Sequence, residues 1–334
     1  MRMRALCWLP LAAALCWMPA FADPQDAAAA TDGRAWLERI RSAAKERNYL
    51  GTMVFTAADV VSSSRVGHFC VGDQTYERLE ALDGRQQKVY RHNEVVHTLW
   101  PSSKMATIER RDALTESLGL PDLDPRLYEH YEVRLLANDR IAGREAQVLM
   151  LKPKDKWRFA QRLWADTATG LMLRADVLGS NGSVLESVAF SDVEVGGKPQ
   201  RDSVLAPMKK LDGYRVVTLR QTPVRLESEG WVVGALPPGF KLSGCIRRGI
   251  GDPVEVSTPS APAALQAVFS DGLARVSVFI EPLDPARPRQ PLMTQMGATH
   301  TLMRQRFERW WVTAMGDVPP ATLKQLMGAI ERRP

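Results

Sequence analysis

His92, Glu94 and His97 are the first residues of this chain that invite a chemical reading. A zinc-hydrolase signature needs two histidines at i and i+4 on one helix face, with a Glu beside the first. Here the histidines are five apart. On a helix that turns them about 140° from each other, and on a strand it sends them to opposite faces. They cannot chelate one ion together, and Asn93 reads instead as the turn of a hairpin. His68, His130 and His300 are scattered along the chain. There is no G-x-S-x-G elbow and no Gly-rich loop ending in Gly-Lys. Gly249 and Gly251 lead into Asp252 and Pro253, not into a helix. No catalytic residue, metal or cofactor is therefore assigned, and an enzyme is not expected.

Binding chemistry is better represented. Lys152, Lys154, Lys156, Arg158 and Arg162 interleave with Trp157 and Phe159. Even spacing can line one strand face, which would make Lys152, Lys154, Lys156 and Arg158 a basic rim for lipid phosphates. The same stretch also reads as a hairpin tip with solvated charges. Trp36, Phe55, Trp100 and Trp164 supply apolar bulk for a cavity on the concave side of a curved sheet. Trp310 and Trp311 are adjacent, so on a strand they face opposite ways, one buried and the other exposed or in an interface.

The elements that must position these residues are mostly strands. Residues 31–48 pattern as an amphipathic helix, with Trp36, Ile40, Ala43 and Ala44 on one face and Thr31 or Asp32 as its cap. Alternating runs follow at 49–57, 64–72, 74–82, 86–92, 94–100 and 104–109, then at 131–137, 145–152, 158–165, 171–178 and 183–195. Asp83-Gly84 and Asn181-Gly182 read as two-residue hairpin turns, the second of type I′. The leucines and prolines of 112–130 suggest one or two short helices. Glycines and prolines of 196–228 mark a domain boundary. Beyond it, strands are expected at 240–247, 264–270, 274–281, 298–305 and 308–315, with a hairpin at Asp271-Gly272. A last helix spans about 320–332, carrying Leu323, Leu326, Met327 and Ile330. No βαβ alternation is present, which argues against a dinucleotide-binding fold.

Composition bounds the class. The chain has 334 residues, 45% hydrophobic and 25% charged, with a formal net charge of +6 and four cysteines. Such length suits about two domains. The charge is too modest for a dedicated nucleic-acid binder, and the cysteines are too few for a disulfide scaffold. Arg2 and Arg4 precede an uncharged apolar run from Ala5 to Met18, shorter than the roughly 20 residues of a membrane span. Ala20-Phe21-Ala22 then gives an export cleavage site after Ala22. Residues 1–22 read as a signal peptide and 23–30 as a disordered leader. Cys70 and Cys245 are left after cleavage. They fall in different domains, where a disulfide would lock the two together. The plainer reading of Cys70 is a buried free thiol on a strand.

Short pieces in order then carry a resemblance. In the first domain they are Asn48-Tyr49-x-Gly51, Asp83-Gly84 before Val89-x-Arg91, and Arg140-Ile141-Ala142-Gly143-Arg144. Leu163-Trp164-x-Asp166-x-x-Thr169-Gly170-Leu171-x-Leu173-Arg174 adds to them. In the second they are Trp231, Leu236-Pro237-x-Gly239-Phe240, Phe269-Ser270-Asp271-Gly272-Leu273-x-x-Val276-Ser277-Val278, and Gly316-Asp317-Val318-Pro319. Over nearly the whole mature chain the sequence resembles the RseB/MucB family, periplasmic negative regulators of the sigma-E envelope-stress response.

The resemblance implies an α+β, mostly antiparallel β fold. A large domain, 31–200, would be an unclosed β-barrel of the lipoprotein-carrier kind with helices on its concave face. A linker, 201–228, would lead to a small α+β domain, 229–334. It also implies a periplasmic partner, the periplasmic part of a membrane-anchored anti-sigma factor. That partner would be shielded from site-1 proteolysis and released when lipopolysaccharide or lipoprotein acyl chains displace the regulator. The partner groove is sought first in the interdomain cleft, and a homo-oligomer stays open. The alternative is a periplasmic lipid or lipoprotein carrier using the same cavity. The second domain favours the regulator. A hydrolase would need a triad or metal that the sequence does not display.

Overall fold

The computed structural model describes residues 24–110, 127–219, 221–249, 263–284 and 289–333, with side chains from residue 32 onward. The expected signal peptide and most of the expected short-helix region at 112–130 lie outside them.

Helix α1 runs Pro24–Glu46, so residues 24–30 are helical and not a disordered leader. Pro24 sits where a helix tolerates it, at the first turn, and the alanine run behind it has the highest helix propensity. The buried stripe of α1 is Gly33, Leu37, Ile40 and Ala43, with Trp36 half-buried at its edge. Gly33 permits the close approach. A Cβ there would stand 2.9 Å from Val133.

The first domain is built on two antiparallel meanders that share one sheet. Its strands are β1 (Tyr49–Ala57), β2 (Val60–Val71), β3 (Gln74–Ala81), β4 (Lys88–His92), β5 (Val95–Trp100), β6 (Met105–Arg110), β7 (Tyr131–Ile141), β8 (Arg144–Pro153), β9 (Ala160–Asp166), β10 (Met172–Leu178) and β11 (Val184–Val195). Helix α2 (Leu127–His130) precedes β7, and α3 (Asp202–Lys209) follows β11. With β12 (Arg215–Leu219) the sheet order is β12-β6-β5-β4-β3-β2-β1-β11-β10-β9-β8-β7. The end strands β12 and β7 are not paired with each other, so the sheet is unclosed. Alternation along the strands puts separate apolar groups on the covered side. Leu37, Ile40, Tyr131, Leu149 and Leu163 cluster under α1, while Phe69, Tyr76, Tyr90 and Leu99 cluster with Val204 of α3.

The segment 201–228 is not a linker. Helix α3 packs through Val204, and β12 lies parallel to β6 with Arg215 opposite Met105. Strand β13 (Gln221–Pro223) already pairs with the second sheet. From Gln221 onward the chain belongs to the second domain.

The second domain has β14 (Trp231–Val233), β15 (Lys241–Gly249), β16 (Ala263–Ser270), β17 (Arg275–Pro282), β18 (Leu292–Met296), β19 (Thr299–Arg306) and β20 (Trp310–Gly316). Helix α4 (Pro320–Ala329) and β21 (Ile330–Arg332) close it. Seven strands order as β13-β15-β16-β17-β20-β19-β18, and β14 pairs β21. The expected helix to about 332 therefore stops at Ala329. Ile330 turns extended because it caps the helix and pairs with Val233. Trp231, wholly buried, centres this core with Phe269, Leu323 and Leu326.

Two turn readings need correction. β3 and β4 are separated by residues 82–87, not by a two-residue turn. The Asp83 carboxylate instead accepts from the Ser63 N–H on β2 at 2.6 Å, and that bond holds the longer loop. At Asn181-Gly182 only Gly182 has positive φ, +80°, whereas a type I′ turn needs it at both residues. Asn181 Oδ1 accepts from the Ser183 N–H at 3.0 Å, a local bond that favours the negative-φ turn. Asn93 does form the β4–β5 turn, at φ +52°.

Candidate functional site

The seam between the two sheets holds a buried ion pair. It begins at the β16–β17 turn. Asp271 Oδ1 accepts from the N–H groups of Leu273 and Ala274 at 2.9 and 2.7 Å, the local bonds that shape an Asp-Gly hairpin tip. That tip points its other carboxylate oxygen into the first domain. There Asp271 Oδ2 accepts from the Tyr131 hydroxyl at 2.9 Å and pairs with the Arg158 guanidinium. Both charged side chains are completely shielded from solvent.

Arg158 comes from the β8–β9 connection and is held on every side. It also pairs with Asp155, donates to the Pro238 carbonyl, and lies over the rings of Tyr131 and Phe240 at 5.5 and 5.3 Å. Gly239 keeps that space open. With φ +82° it takes a backbone that side chains avoid, and a Cβ there would sit 2.4 Å from the His130 ring. Burial alone would weaken the Arg158 charge, but hydrogen bonding and proximity to Asp271 outweigh it and hold the proton more firmly. Burial and the Asp271 charge push the Tyr131 hydroxyl well above its ordinary range. Tyr131 is thus a neutral donor and Arg158 keeps its charge.

Around this latch the seam is apolar. Leu273, at the hairpin tip of the second domain, belongs to the same cluster as Leu37, Ile40, Leu127 and Tyr131 of the first. It fills the space under α1. Thr322 donates to the Trp157 carbonyl at 2.7 Å, and Phe159 stacks on His300 at 5.9 Å. Farther along, Gly297 approaches Ala57 and Leu185, and Glu186 faces Asp317 across the boundary. Burial first, then that like charge, raises the Glu186 carboxyl above its ordinary value.

The residues singled out from sequence fare unevenly. Arg158 is not part of an exposed rim. The even spacing fails because the chain turns between Pro153 and Ala160, and Asp271 draws the guanidinium inward. Lys152, Lys154 and Lys156 do stay on the surface beside the seam, with Lys154 Nζ donating to the Tyr128 carbonyl at 2.7 Å. The four aromatics are not gathered around one space. Trp36 flanks the cluster under α1, with Arg39 over its ring at 4.6 Å. Trp164 is buried in a different cluster, donating from Nε1 to Asp139 at 2.9 Å. Phe55 on β1 and Trp100 on β5 are half-buried on strands with three others between them. A cleft of about 790 Å³ opens between β3–β6 and α3, lined by Lys88, Tyr90, Leu99, Lys104, Lys210 and Tyr214 among others, and none of those four aromatics lines it. Among the described residues no group of His, Cys, Asp and Glu could hold a metal ion, and no described helix is long and apolar enough to cross a membrane. Trp311 is buried, and Trp310 packs edge-on to Trp231 at 5.2 Å.

Sequence reasoning missed Asp271 as a seam residue. Asp271-Gly272 explained itself locally as a turn, and nothing in the spacing announced a partner 113 positions away.

Comparison with known proteins places both domains at once. The family description "MucB/RseB N-terminal domain" matches residues 32–208, and "MucB/RseB C-terminal domain" matches 225–331. The chain belongs to the MucB/RseB family. As a MucB/RseB chain it is 32% identical over 320 residues to the sigma factor AlgU regulatory protein MucB of Pseudomonas aeruginosa, covering 91% of this chain and 92% of that one. It is 25% identical to the sigma-E factor regulatory protein RseB of Escherichia coli strain K12, covering 90% and 91%. The crystal structure of MucB in complex with MucA(peri) overlays with TM-score 0.66 at 28% identity, covering 91% of this chain and 100% of that chain. The Pseudomonas aeruginosa MucA/MucB complex gives 0.68 at 29%, covering 91% and 99%. In this MucB/RseB chain the hairpin at Asp271 joins the two domains through Tyr131 and Arg158.

Proposed function

We propose that this chain binds the periplasmic part of a membrane-anchored anti-sigma factor and shields it from the protease that makes the first cut. In this reading residues 1–22 direct export and are removed after Ala22, so the protein works in the periplasm and touches the inner membrane only through its partner. The observation that carries the reading is the full-length likeness to MucB structures solved with MucA, one of them with MucA(peri).

The seam supplies a means of release. Leu273 occupies the apolar space under α1, which is also space an acyl chain would occupy. Lipopolysaccharide or a mislocalised lipoprotein that takes this space displaces the hairpin tip. The surface charges of Lys152, Lys154 and Lys156 beside the seam suit the phosphates of such a lipid. Displacement uncovers the Arg158–Asp271 pair, so docked and undocked states are discrete. A ligand that prefers the undocked form then lowers affinity for a partner that prefers the docked one.

The test is proteolysis of the anti-sigma periplasmic segment by the site-1 protease, with and without the chain lacking residues 1–22. Cleavage should slow in the presence of the chain and recover when lipopolysaccharide is added. Unchanged cleavage in all arms would overturn it and favour a lipid carrier.

A further inference from the structure

Strand β2 places a thiol in a row of polar side chains. His68 and Cys70 are two apart on β2 and so face the same way. Register puts Glu77 of β3 opposite His68, and Arg91 of β4 opposite Glu77. The row closes by hydrogen bonds. His68 Nε2 lies 3.2 Å from Cys70 Sγ, His68 Nδ1 lies 3.1 Å from Glu77 Oε1, and Arg91 donates to Glu77 Oε2 at 3.3 Å. Thiol, imidazole and carboxylate are thus in the order that activates a nucleophile, with Arg91 fixing the carboxylate. Tyr49 of β1 stacks flat on the imidazole, ring centroids 5.2 Å apart.

The surroundings tune the group. His68 is buried, which disfavours its charge, but the hydrogen bonds it donates to Cys70 and Glu77 outweigh burial and hold its proton up to about 9. The protonated imidazole so held lies 3.2 Å from Sγ, where it can hand a proton to a departing sulfur. The Lys45 carbonyl, at the end of α1, accepts from the thiol at 2.8 Å, and the Asn48 side chain accepts from the Cys70 N–H at 2.8 Å. Cys70 keeps partial exposure. Cys245 is the opposite case. It is buried, and burial followed by Glu229 and Glu227 pushes its thiol up to about 11.

We infer that Cys70 is a redox-modification site, activated by His68 and Glu77, that takes low-molecular-weight disulfides. Cys70 loses its proton to solvent, and Sγ attacks one sulfur of the disulfide. The new S–S bond forms as the old one breaks, and the departing thiolate takes the proton from His68 Nε2, which solvent restores. Cys70 is oxidised, the released sulfur is reduced, and one free thiol leaves per mixed disulfide formed.

The test is the reaction of the chain lacking residues 1–22 with 5,5′-dithiobis(2-nitrobenzoate), followed by released thiolate and intact mass from pH 5 to 9. In the native protein one thiol should react at pH 7 at least tenfold faster than glutathione, and peptide mapping should place it at Cys70. Cys245→Ser should leave that phase intact, and Cys70→Ser should abolish it. His68→Gln and Glu77→Gln should each slow it about tenfold and return its pH profile to that of an ordinary thiol. A native Cys70 that reacts no faster than glutathione would overturn the inference, a comparison that needs no variant to fold. A fast phase with an unaltered pH profile in both His68→Gln and Glu77→Gln would equally overturn it.

Discussion

Asp271→Asn isolates the charge at the domain seam. The amide keeps a carbonyl oxygen for the N–H groups of Leu273 and Ala274, so the hairpin tip retains its local bonds. What disappears is the anion facing Arg158, in a site where both side chains are wholly out of water. Breaking a buried pair by removing one partner costs about 3–5 kcal/mol, because the remaining charge stays desolvated and uncompensated. Arg158 retains Asp155, a carboxylate that is only partly buried, and the Pro238 carbonyl. Those partners place the expectation near the lower end, about 3 kcal/mol. Arg158→Met removes the other charge but leaves Asp271 its Tyr131 hydroxyl and two backbone donors. The double variant leaves no unpaired charge at this pair, so its cost should fall short of the sum by about 1–3 kcal/mol. The assay is urea unfolding followed by tryptophan fluorescence and by circular dichroism, extrapolated linearly to water. Separation of the two probes in the single variants would mark domains that unfold independently. A loss below about 1 kcal/mol for Asp271→Asn, with strict additivity in the double variant, would refute the latch.

Other consequences follow from the same geometry. Because the His68 pKa is raised in the folded protein to about 9, its stabilising contribution is complete below about 6.5 and lost as pH rises through about 9. That contribution is on the order of 3 kcal/mol, and His68→Gln should remove the corresponding fall in urea midpoint between pH 6.5 and 9; a wild-type midpoint flat across that window rules the linkage out. Glu186, whose carboxyl is raised by burial and by Asp317, favours the fold when protonated, so stability from this group falls as pH rises above the ordinary carboxylate range. Glu186→Gln should therefore raise the melting temperature at pH 7 and change it little at pH 4, as read by calorimetry. Gly239→Ala forces a side chain into a backbone at φ +82° and against His130 and Arg158. The backbone term alone is about 1–2 kcal/mol, and the same urea assay should show at least that loss.

Much of the fold was legible because local rules wrote it. Strand β1 matches its expected limits, since β-branched and aromatic residues are frequent there. The hairpins at Asn93 and at Asp271-Gly272 lie where the residues for tight turns stand. The misses are long-range pairings. β12 looked like linker because its five residues find their partner strand, β6, more than a hundred positions earlier, and parallel pairing leaves no turn to read. Residues 24–30 looked loose because small residues signal both disorder and helix, and here alanine propensity decides. Arg158 looked solvated by extrapolating a strand period past the point where the strand ends. The Cys70 row needed the β2–β3 register, which brings Glu77 opposite His68.

The central claim is that this chain holds an anti-sigma periplasmic segment and lets it go in response to lipid. The most direct measurement is calorimetric titration of residues 23–334 with that segment, alone and after saturation with lipopolysaccharide. Saturable binding that lipopolysaccharide abolishes is the predicted result. Failure to bind the segment in either condition would contradict the account.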